Sequence, residues 1–278
     1  ETIERTDGMF AFALWCKQTR VLTLGRDRMG EKPLYYGWQG TGKSKVFLFG
    51  SEFKALQAHP AFVDTINRDA VCLFMRHSCI PAPYSIYKGI SKLLPGHLLS
   101  VSLEKQDLQL LNYWSGAKIV LSGVAKKFDG TSGEAINSLE FLLKESVKQQ
   151  MVADVPLGSF LSGGIDSSTI VALMQAQSTK KIKTFTIGFN EEGYNEAVDA
   201  KAIAHHLGTE HTELYVTPQQ ALSVIPNLPS IYDEPFSDSS QIPTFLVSQL
   251  ARQKVTVSLS GDGGDELFCG YNRYRITN

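Results

Sequence analysis

The chain has little cysteine. Cys16, Cys72, Cys79 and Cys269 are the only four in 278 residues, and no two of them form a C-x-x-C pair. That excludes a disulfide framework and a cysteine-built zinc cluster, and it fits a reducing, cytoplasmic setting. An excess of either charge is also missing: 27 Lys and Arg face 28 Asp and Glu, for a formal net charge of −1. Without a long basic run, a broad polyanion-binding surface has no electrostatic basis, so nucleic acid is not an expected partner. No apolar run reaches the roughly 18 residues that a membrane span requires. No secretory signal opens the chain. The six histidines are scattered, with no His-x-x-x-His pair beside a third ligand, so a histidine metal site is not expected. Internal repeats and low-complexity tracts are lacking too.

What is present reads as two domains. Residues 1–120 are mostly β. Short strands are expected at 8–16, 21–25, 34–38 and 46–50, then a helical turn or two at 52–58. Residues 68–77 read as a helix with Asn67 as its cap. Pro81, Pro83 and Pro95 break the next stretch, and strands at 98–103 and 108–114 close the domain. Glycine and serine accumulate over 115–133, which makes 121–133 the expected linker. From 134 the pattern alternates. A helix over 134–150 carries Ile136, Leu139, Leu142, Leu143 and Val147 on one face. Strands at 155–161, 183–188, 210–216 and 254–259 are interleaved with helices at 167–176, 195–207 and 242–253. Such alternation indicates an α/β doubly wound parallel sheet over 134–278, with ligands at the carboxyl ends of its strands.

The most informative stretch is Phe160-Leu161-Ser162-Gly163-Gly164-Ile165-Asp166-Ser167-Ser168. It joins an expected strand to an expected helix. Gly163 and Gly164 allow a tight turn with no side chain in a ligand's way. The helix N-terminus behind them offers backbone N–H groups and a positive dipole end to a phosphate. A carboxylate at Asp166 does not bind an anion directly, so it points to a hard cation shared with the phosphate. A second loop, Ser260-Gly261-Asp262-Gly263-Gly264-Asp265-Glu266, also follows an expected strand. Its carboxylates suit magnesium or proton handling, and both loops are expected to open on the same sheet edge.

Ser-Gly-Gly-x-Asp-Ser-Ser resembles the PP-loop of the ATP pyrophosphatases, which cleave ATP between its α- and β-phosphates. Ser-Gly-x-Gly-x-Asp-Glu-Leu-Phe-x-Gly-Tyr is similar to the asparagine synthetases and their close relatives, as are residues 154–158 (DVPLG) and 232–240 (YDEPFSDSS). Cys269 stands where that family places Gly. In the first half, residues 7–13 (DGMFAFA), 25–36 (GRDRMGEKPLYY) and 51–56 (SEFKAL) resemble the glutaminase domain of class II amidotransferases. The resemblance implies part of an Ntn-hydrolase-like α+β sandwich over 1–120, followed by a PP-loop synthetase domain.

The implied activity is ATP-dependent amide formation on aspartate through a β-aspartyl-adenylate, releasing AMP and pyrophosphate. Ammonia would come from glutamine in the full-length protein. ATP and Mg2+ are the implied cofactors, aspartate, glutamine and ammonia the other small-molecule partners, and a homodimer is compatible. By the same resemblance Ser162, Gly163, Gly164, Asp166, Ser167 and Ser168 hold the pyrophosphate portion. Leu161, Ile187, Ser260 and Gly261 contact the nucleotide. Asp166 and Asp265 are the magnesium-side carboxylates, and Asp262 occupies the position tied to acyl-adenylate formation. The family's glutaminase nucleophile is an N-terminal Cys. This chain opens with Glu1, so no glutaminase residue is carried over, and the chain is expected to be truncated at both ends and unable to use glutamine as given. Two alternatives remain open: a related amidotransferase acting on a sugar acid or β-lactam precursor, and a non-catalytic truncated copy.

Gly37-Trp38-Gln39-Gly40-Thr41-Gly42-Lys43-Ser44 fits the P-loop pattern G-x-x-x-x-G-K-S. That chemistry requires a helix after the loop, and residues 45–50 read as a strand, so a hairpin is expected instead.

Overall fold

Alternating side chains in the first half build two antiparallel sheets. The computed structural model describes residues 2–190, 195–271 and 274; Glu1, 191–194, 272–273 and 275–278, which include both chain ends, lie outside the described residues. The chain divides into two units, Glu1–Lys127 with Asn227–Asp238, and Phe128–Pro226 with Ser239–Asn278. In chain order the first unit begins with β1 (Ala11–Cys16), β2 (Val21–Arg26), β3 (Tyr35–Gln39), β4 (Val46–Gly50), α1 (Phe53–Gln57) and α2 (Arg68–His77). It continues with β5 (Ser91–Lys92), β6 (His97–Ser102), β7 (Asp107–Asn112) and α3 (Gly116–Ala125). One sheet has the order β1-β2-β6-β7 and the other β4-β3-β5.

The period of two decides the layers. Leu22 and Leu24 of β2 and Leu99 and Val101 of β6 share one face and meet Tyr36, Trp38 and Phe47 from the second sheet. The next residue along β3, Tyr35, faces the other way and packs with Phe53 and Leu56 of α1 and Ala70 of α2. The order is therefore sheet, sheet, helices. α2 keeps the expected bounds because the Asn67 side chain accepts the Asp69 N–H at 3.2 Å. The stretch at 37–44 is the hairpin expected: β3 pairs antiparallel with β4 through a single helical turn at Gly42–Ser44.

The block 25–36 is held by two side chains. Arg26 donates to Lys32 O (2.9 Å), Leu93 O (2.7 Å) and Gly30 O (2.5 Å). Asp27 is fully buried and accepts from the N–H groups of Phe10 (3.3 Å), Glu31 (2.8 Å) and Lys32 (2.9 Å).

Residues 116–125, whose glycine and serine suggest the start of a linker, are helical. They form α3, started by the Ser115 hydroxyl accepting from Lys118 N at 3.4 Å. The run Ile119-Val120-Leu121 between the glycines sustains the helix, and these side chains stay exposed.

The second unit starts with α4 (Ser132–Gln150), β8 (Leu157–Phe160), α5 (Ile165–Ala176), β9 (Lys183–Phe189), α6 (Ala197–Leu207), β10 (Glu210–Val216) and α7 (Pro218–Val224). The chain then supplies α8 (Leu228–Ile231) to the first unit and returns for α9 (Gln241–Arg252), β11 (Val257–Leu259) and α10 (Gly264–Phe268). Thr131 and Glu134 form a capping box at the start of α4. β11 is shorter than the strand expected from 254, because Lys254 N and Val255 N both donate to Ala251 O and close α9 instead. Neither α7 nor α10 is expected from the apolar pattern; α7 rests on a Thr217–Gln220 capping box with Pro218 in its first turn.

All pairings in the sheet β10-β9-β8-β11 are parallel. Val147 of α4, Met174 of α5 and Leu259 pack on one face, with Val171 of α5 and Ala200 and Ala204 of α6 around Leu161. Phe160 and Phe185 point to the other face against Val247, Leu250 and Ala251 of α9. The sheet is doubly wound. The chain starts at β8, moves outward through β9 and β10, and returns to the opposite side at β11. Strand order therefore reverses between β8 and β11, where such sheets place ligands. Among the described residues no helix is long and apolar enough to cross a membrane.

Two buried polar groups carry predictions. Asp27→Ala leaves three backbone N–H groups without their acceptor. It should lower the unfolding free energy of the first unit by at least about 3 kcal/mol in urea titrations; a loss under about 0.5 kcal/mol would remove Asp27 as the organiser of its loop. His211 on β10 lies with Nδ1 2.9 Å from Thr184 Oγ1, and its Nε2 is buried without a partner among the described residues. Burial, aided by Lys201 and opposed by Glu213, holds its pKa below the ordinary 6.5. The neutral ring is thus favoured by folding, so its contribution is present above pH 6.5 and lost as pH falls through the lowered value. His211→Asn should flatten the acid-side fall of stability between about pH 7 and pH 5, and an unchanged slope in urea midpoints would contradict this.

Candidate ligand site at the sheet's switch point

Residues 162–164 carry the chain from β8 into α5. Gly163 has φ +86, and a Cβ there would lie 3.0 Å from Ala200 N, so this turn also seats α6. Gly164, the N-cap of α5, supplies no side-chain cap. The loop's serines hold it together. Gly164 N donates to Ser162 Oγ (3.3 Å), Ser162 N donates to Ser167 Oγ (3.2 Å), and the two hydroxyls lie 2.9 Å apart. Ser168 Oγ donates to Gly164 O at 2.6 Å. The first-turn N–H groups of a helix have no intrahelical acceptor. Those of α5, and the positive end of its dipole, open on this loop.

The second loop is placed by the parallel pairing of β11 with β8, Leu157↔Val257 through Ser159↔Leu259. Ser159 Oγ donates to Leu259 O across it at 3.0 Å. The two loops then touch. A Cβ at Gly261 would lie 2.7 Å from Ser167 N, and one at Gly264 would collide with Asp166 Oδ2. Ser260 Oγ donates to Asp262 Oδ2 at 2.9 Å.

Asp166, Ser260, Gly261 and Asp262 line one cavity of 320 Å³ with Thr169 and Phe268. Leu161, Ser162 and Ile187 line a larger one of 550 Å³. The first loop runs from one to the other. Asp265 joins neither lining. It sits in α10 with its carboxylate against Gly270, where a Cβ would collide with Oδ1. The larger cavity also uses Ser239, Ser240 and Thr244, from the stretch where the resemblance places the acceptor, and Thr186 and Glu196, which sequence reasoning did not single out. Thr186 was readable as the polar neighbour of Ile187 on β9, and Ser239 and Ser240 stand in the block 232–240. Glu196 carried no local signal.

Among the described residues no cluster of three or more His, Cys, Asp or Glu could hold a metal ion. A magnesium ion carried by phosphates needs only one or two protein carboxylates. Asp166 and Asp262 beside the phosphate-type loop fit that kind of ion, and they do not fit an all-protein cage.

The chain is similar in sequence to known proteins. Residues 138–278 match the family described as asparagine synthase, and residues 1–114 match the glutamine amidotransferase domain. A Methanocaldococcus jannaschii protein ascribed glutamine-hydrolysing asparagine synthetase activity is 39% identical over 99% of this chain and 53% of its own length. Asparagine synthetase [glutamine-hydrolyzing] 1 of Bacillus subtilis is 34% identical over 99% of this chain and 41% of its own. The chain thus spans about half the length of these curated relatives, or less. A solved NH3-dependent NAD synthetase from Campylobacter jejuni overlays 49% of this chain and 60% of its own at 14% identity, with a TM-score of 0.35.

The contact between loops generates a prediction. Gly261→Ala must push the second loop off Ser167 N, and should destabilise the second unit by about 1–3 kcal/mol, the usual range for overpacking. Gly133→Ala in α4, where a Cβ would meet nothing within 4 Å, serves as the control, expected to stabilise by about 0.4–1 kcal/mol. Equal urea midpoints for both variants would show that the loops do not pack as described.

Proposed function

We propose that this chain, which belongs to the asparagine synthase family, activates a carboxylate with ATP and converts it to an amide. One observation carries the reading: the two small-residue loops that follow β8 and β11 interlock at the switch point, with Gly261 and Gly264 pressed on the first turn of α5. A phosphate-binding loop alone would suit many reactions. A second loop against it adds a carboxylate, Asp262, to the lining of the same cavity, which supports acyl transfer there.

In the proposed reaction a carboxylate oxygen attacks the α-phosphorus of ATP and pyrophosphate leaves. Ammonia then attacks the acyl carbon of the adenylate, loses a proton, and AMP departs. The hydroxyls of Ser162, Ser167 and Ser168 and the first-turn N–H groups of α5 hold the departing pyrophosphate, where charge develops. Leu161, Ile187, Ser260 and Gly261 flank the nucleotide. Asp262 orients the acyl transfer and can take the proton from ammonia. Magnesium, when bound, would neutralise phosphate charge, with Asp166 as its protein-side carboxylate; Asp265, which the resemblance also implies, lies outside both cavities with its carboxylate against Gly270. Aspartate is the acceptor we assign, on the names of the relatives. The first unit, through its amidotransferase match, would deliver ammonia from glutamine in the complete protein, and its sheet–sheet–helix layering suits part of an Ntn-hydrolase-like sandwich. We assign the two activities to residues 1–120 and 134–278.

The test is pyrophosphate release from ATP with magnesium, ammonia and aspartate. Asp166→Asn should abolish it while the fold persists. Asp262→Asn should slow it by ~10²-fold or more, with nucleotide binding by calorimetry little changed. Near-normal release from Asp166→Asn would sink the phosphate-loop assignment. Release driven by a sugar acid or a β-lactam precursor, and not by aspartate, would redirect the acceptor. No release with any carboxylate would make the chain a non-catalytic copy.

A further inference from the structure

The larger cavity lies wholly within the second unit, at the carboxyl ends of β8 and β9. Its walls are mostly apolar, with Leu161, Ile187 and Val247 among them, and Thr186 and Thr244 bring hydroxyls. Among the described residues the lining holds no Lys or Arg, and Glu196 is its one charged residue. Such walls suit the uncharged part of a nucleotide. Phosphates are served instead by the first turn of α5.

The phosphate-type loop itself seats Glu196. This residue is the N-cap of α6, and its carbonyl oxygen accepts Ala200 N at 3.0 Å. A Cβ at Gly163 would lie 3.3 Å from that oxygen and 3.0 Å from Ala200 N, so the turn at Gly163 rests on the backbone of Glu196. A carboxylate at a helix start commonly serves as the cap. Here Asn195 caps instead: its Oδ1 accepts Ala197 N at 3.3 Å, and Glu196 makes no side-chain cap. Among the described residues the Glu196 carboxylate takes no hydrogen bond and joins no ion pair, and it is exposed. An anion beside a phosphate site repels the phosphates, so its presence calls for donor groups on the ligand. In ATP the base, the ribose and the phosphates follow in that order. Between apolar walls and a phosphate loop, the donors within reach are the ribose hydroxyls. The two oxygens of a carboxylate can accept from both, as an acidic residue does for the ribose in dinucleotide-binding folds.

We infer that Glu196 reads the sugar of the nucleotide, accepting hydrogen bonds from the ribose 2′- and 3′-hydroxyls beside the phosphate loop. The larger cavity then selects ribonucleotides over deoxyribonucleotides. This deepens the proposed function and rests on its placement of ATP at this sheet edge, and on none of its later chemical steps.

The experiment compares binding of ATP and of 2′,3′-dideoxy-ATP to the full chain by calorimetry, with magnesium and without an acceptor, so no turnover is needed. The parent should bind ATP about ten- to a hundredfold more tightly than the dideoxy analogue, the range for hydrogen bonds to a charged group. Glu196→Ala should bring that ratio close to one. Glu196→Gln, which keeps one acceptor oxygen and the size of the side chain, should leave it in between. The ratio is the readout, because loss of a negative charge changes the attraction of both nucleotides alike. Asp199→Ala removes the neighbouring charge in the first turn of α6 and should keep the parental ratio. A parental ratio in both Glu196 variants would overturn the inference and leave this carboxylate to the acceptor or a metal ion. Equal binding of the two nucleotides by the parent would overturn it as well, with the ATP site itself intact. A parent that binds neither nucleotide would defeat the proposed function and the inference together.

Discussion

The candidate site depends on β8 pairing with β11. These strands lie about a hundred residues apart in the chain and pair in parallel, so their carboxyl ends share one edge. Each strand is short, and a pairing over so long a separation is entropically unfavourable. What offsets that cost is burial on both faces: Leu259 and Met174 on one side, Phe160 and Phe185 against α9 on the other. Once paired, the two loops have no room to stand apart, and only glycine at 261 and 264 lets them meet.

Carboxylates in this molecule have three different fates, and burial with hydrogen bonding tells them apart. Asp27 has no exposure, and backbone N–H groups on three residues occupy its oxygens, so nothing remains for a ligand. Asp233 and Glu234 spend theirs on Phe53, Ile86 and Lys92. The surroundings of Asp233 leave its pKa raised, by burial first and Glu52 second, against the Phe53 N–H and Lys54. Asp166 and Asp262 line an open cavity beside a helix N-terminus. The same residue type thus serves as an organiser, a clamp and a candidate chemical group. Sequence spacing does not separate these roles, since the block 25–36 and the block 260–266 are equally rich in charge and glycine.

The two loops that match phosphate-binding patterns show why context outranks spelling. The stretch 37–44 has every letter of a P-loop and sits in an antiparallel hairpin, with no helix to turn its dipole on a phosphate. The stretch 162–168 lies at the N-terminus of a 12-residue helix after a parallel strand. The difference was legible beforehand because the residues after Ser44 are a short apolar run (VFLF) that reads as a strand, whereas Ile170, Val171, Leu173 and Met174 follow a helical spacing.

Local chemistry determined the elements. Apolar period, caps such as Asn67 and Thr131, and small-residue loops are properties of neighbours in the chain, so the helix at 68–77 and both glycine-rich loops could be read directly. Elements that rest on few residues were less legible: α10 is a single turn inside an acidic loop, and α3 breaks the expectation set by its glycines. Pairing and unit membership were decided only in three dimensions. That Gly261 touches Ser167, that Glu196 and Thr244 share a wall with Ile187, and that residues 227–238 leave the synthetase-like sequence to dock on the first unit all depend on contacts between distant segments. No local period encodes such contacts, because their free energy comes from the shape of the partner surface and not from the order of residues along either strand.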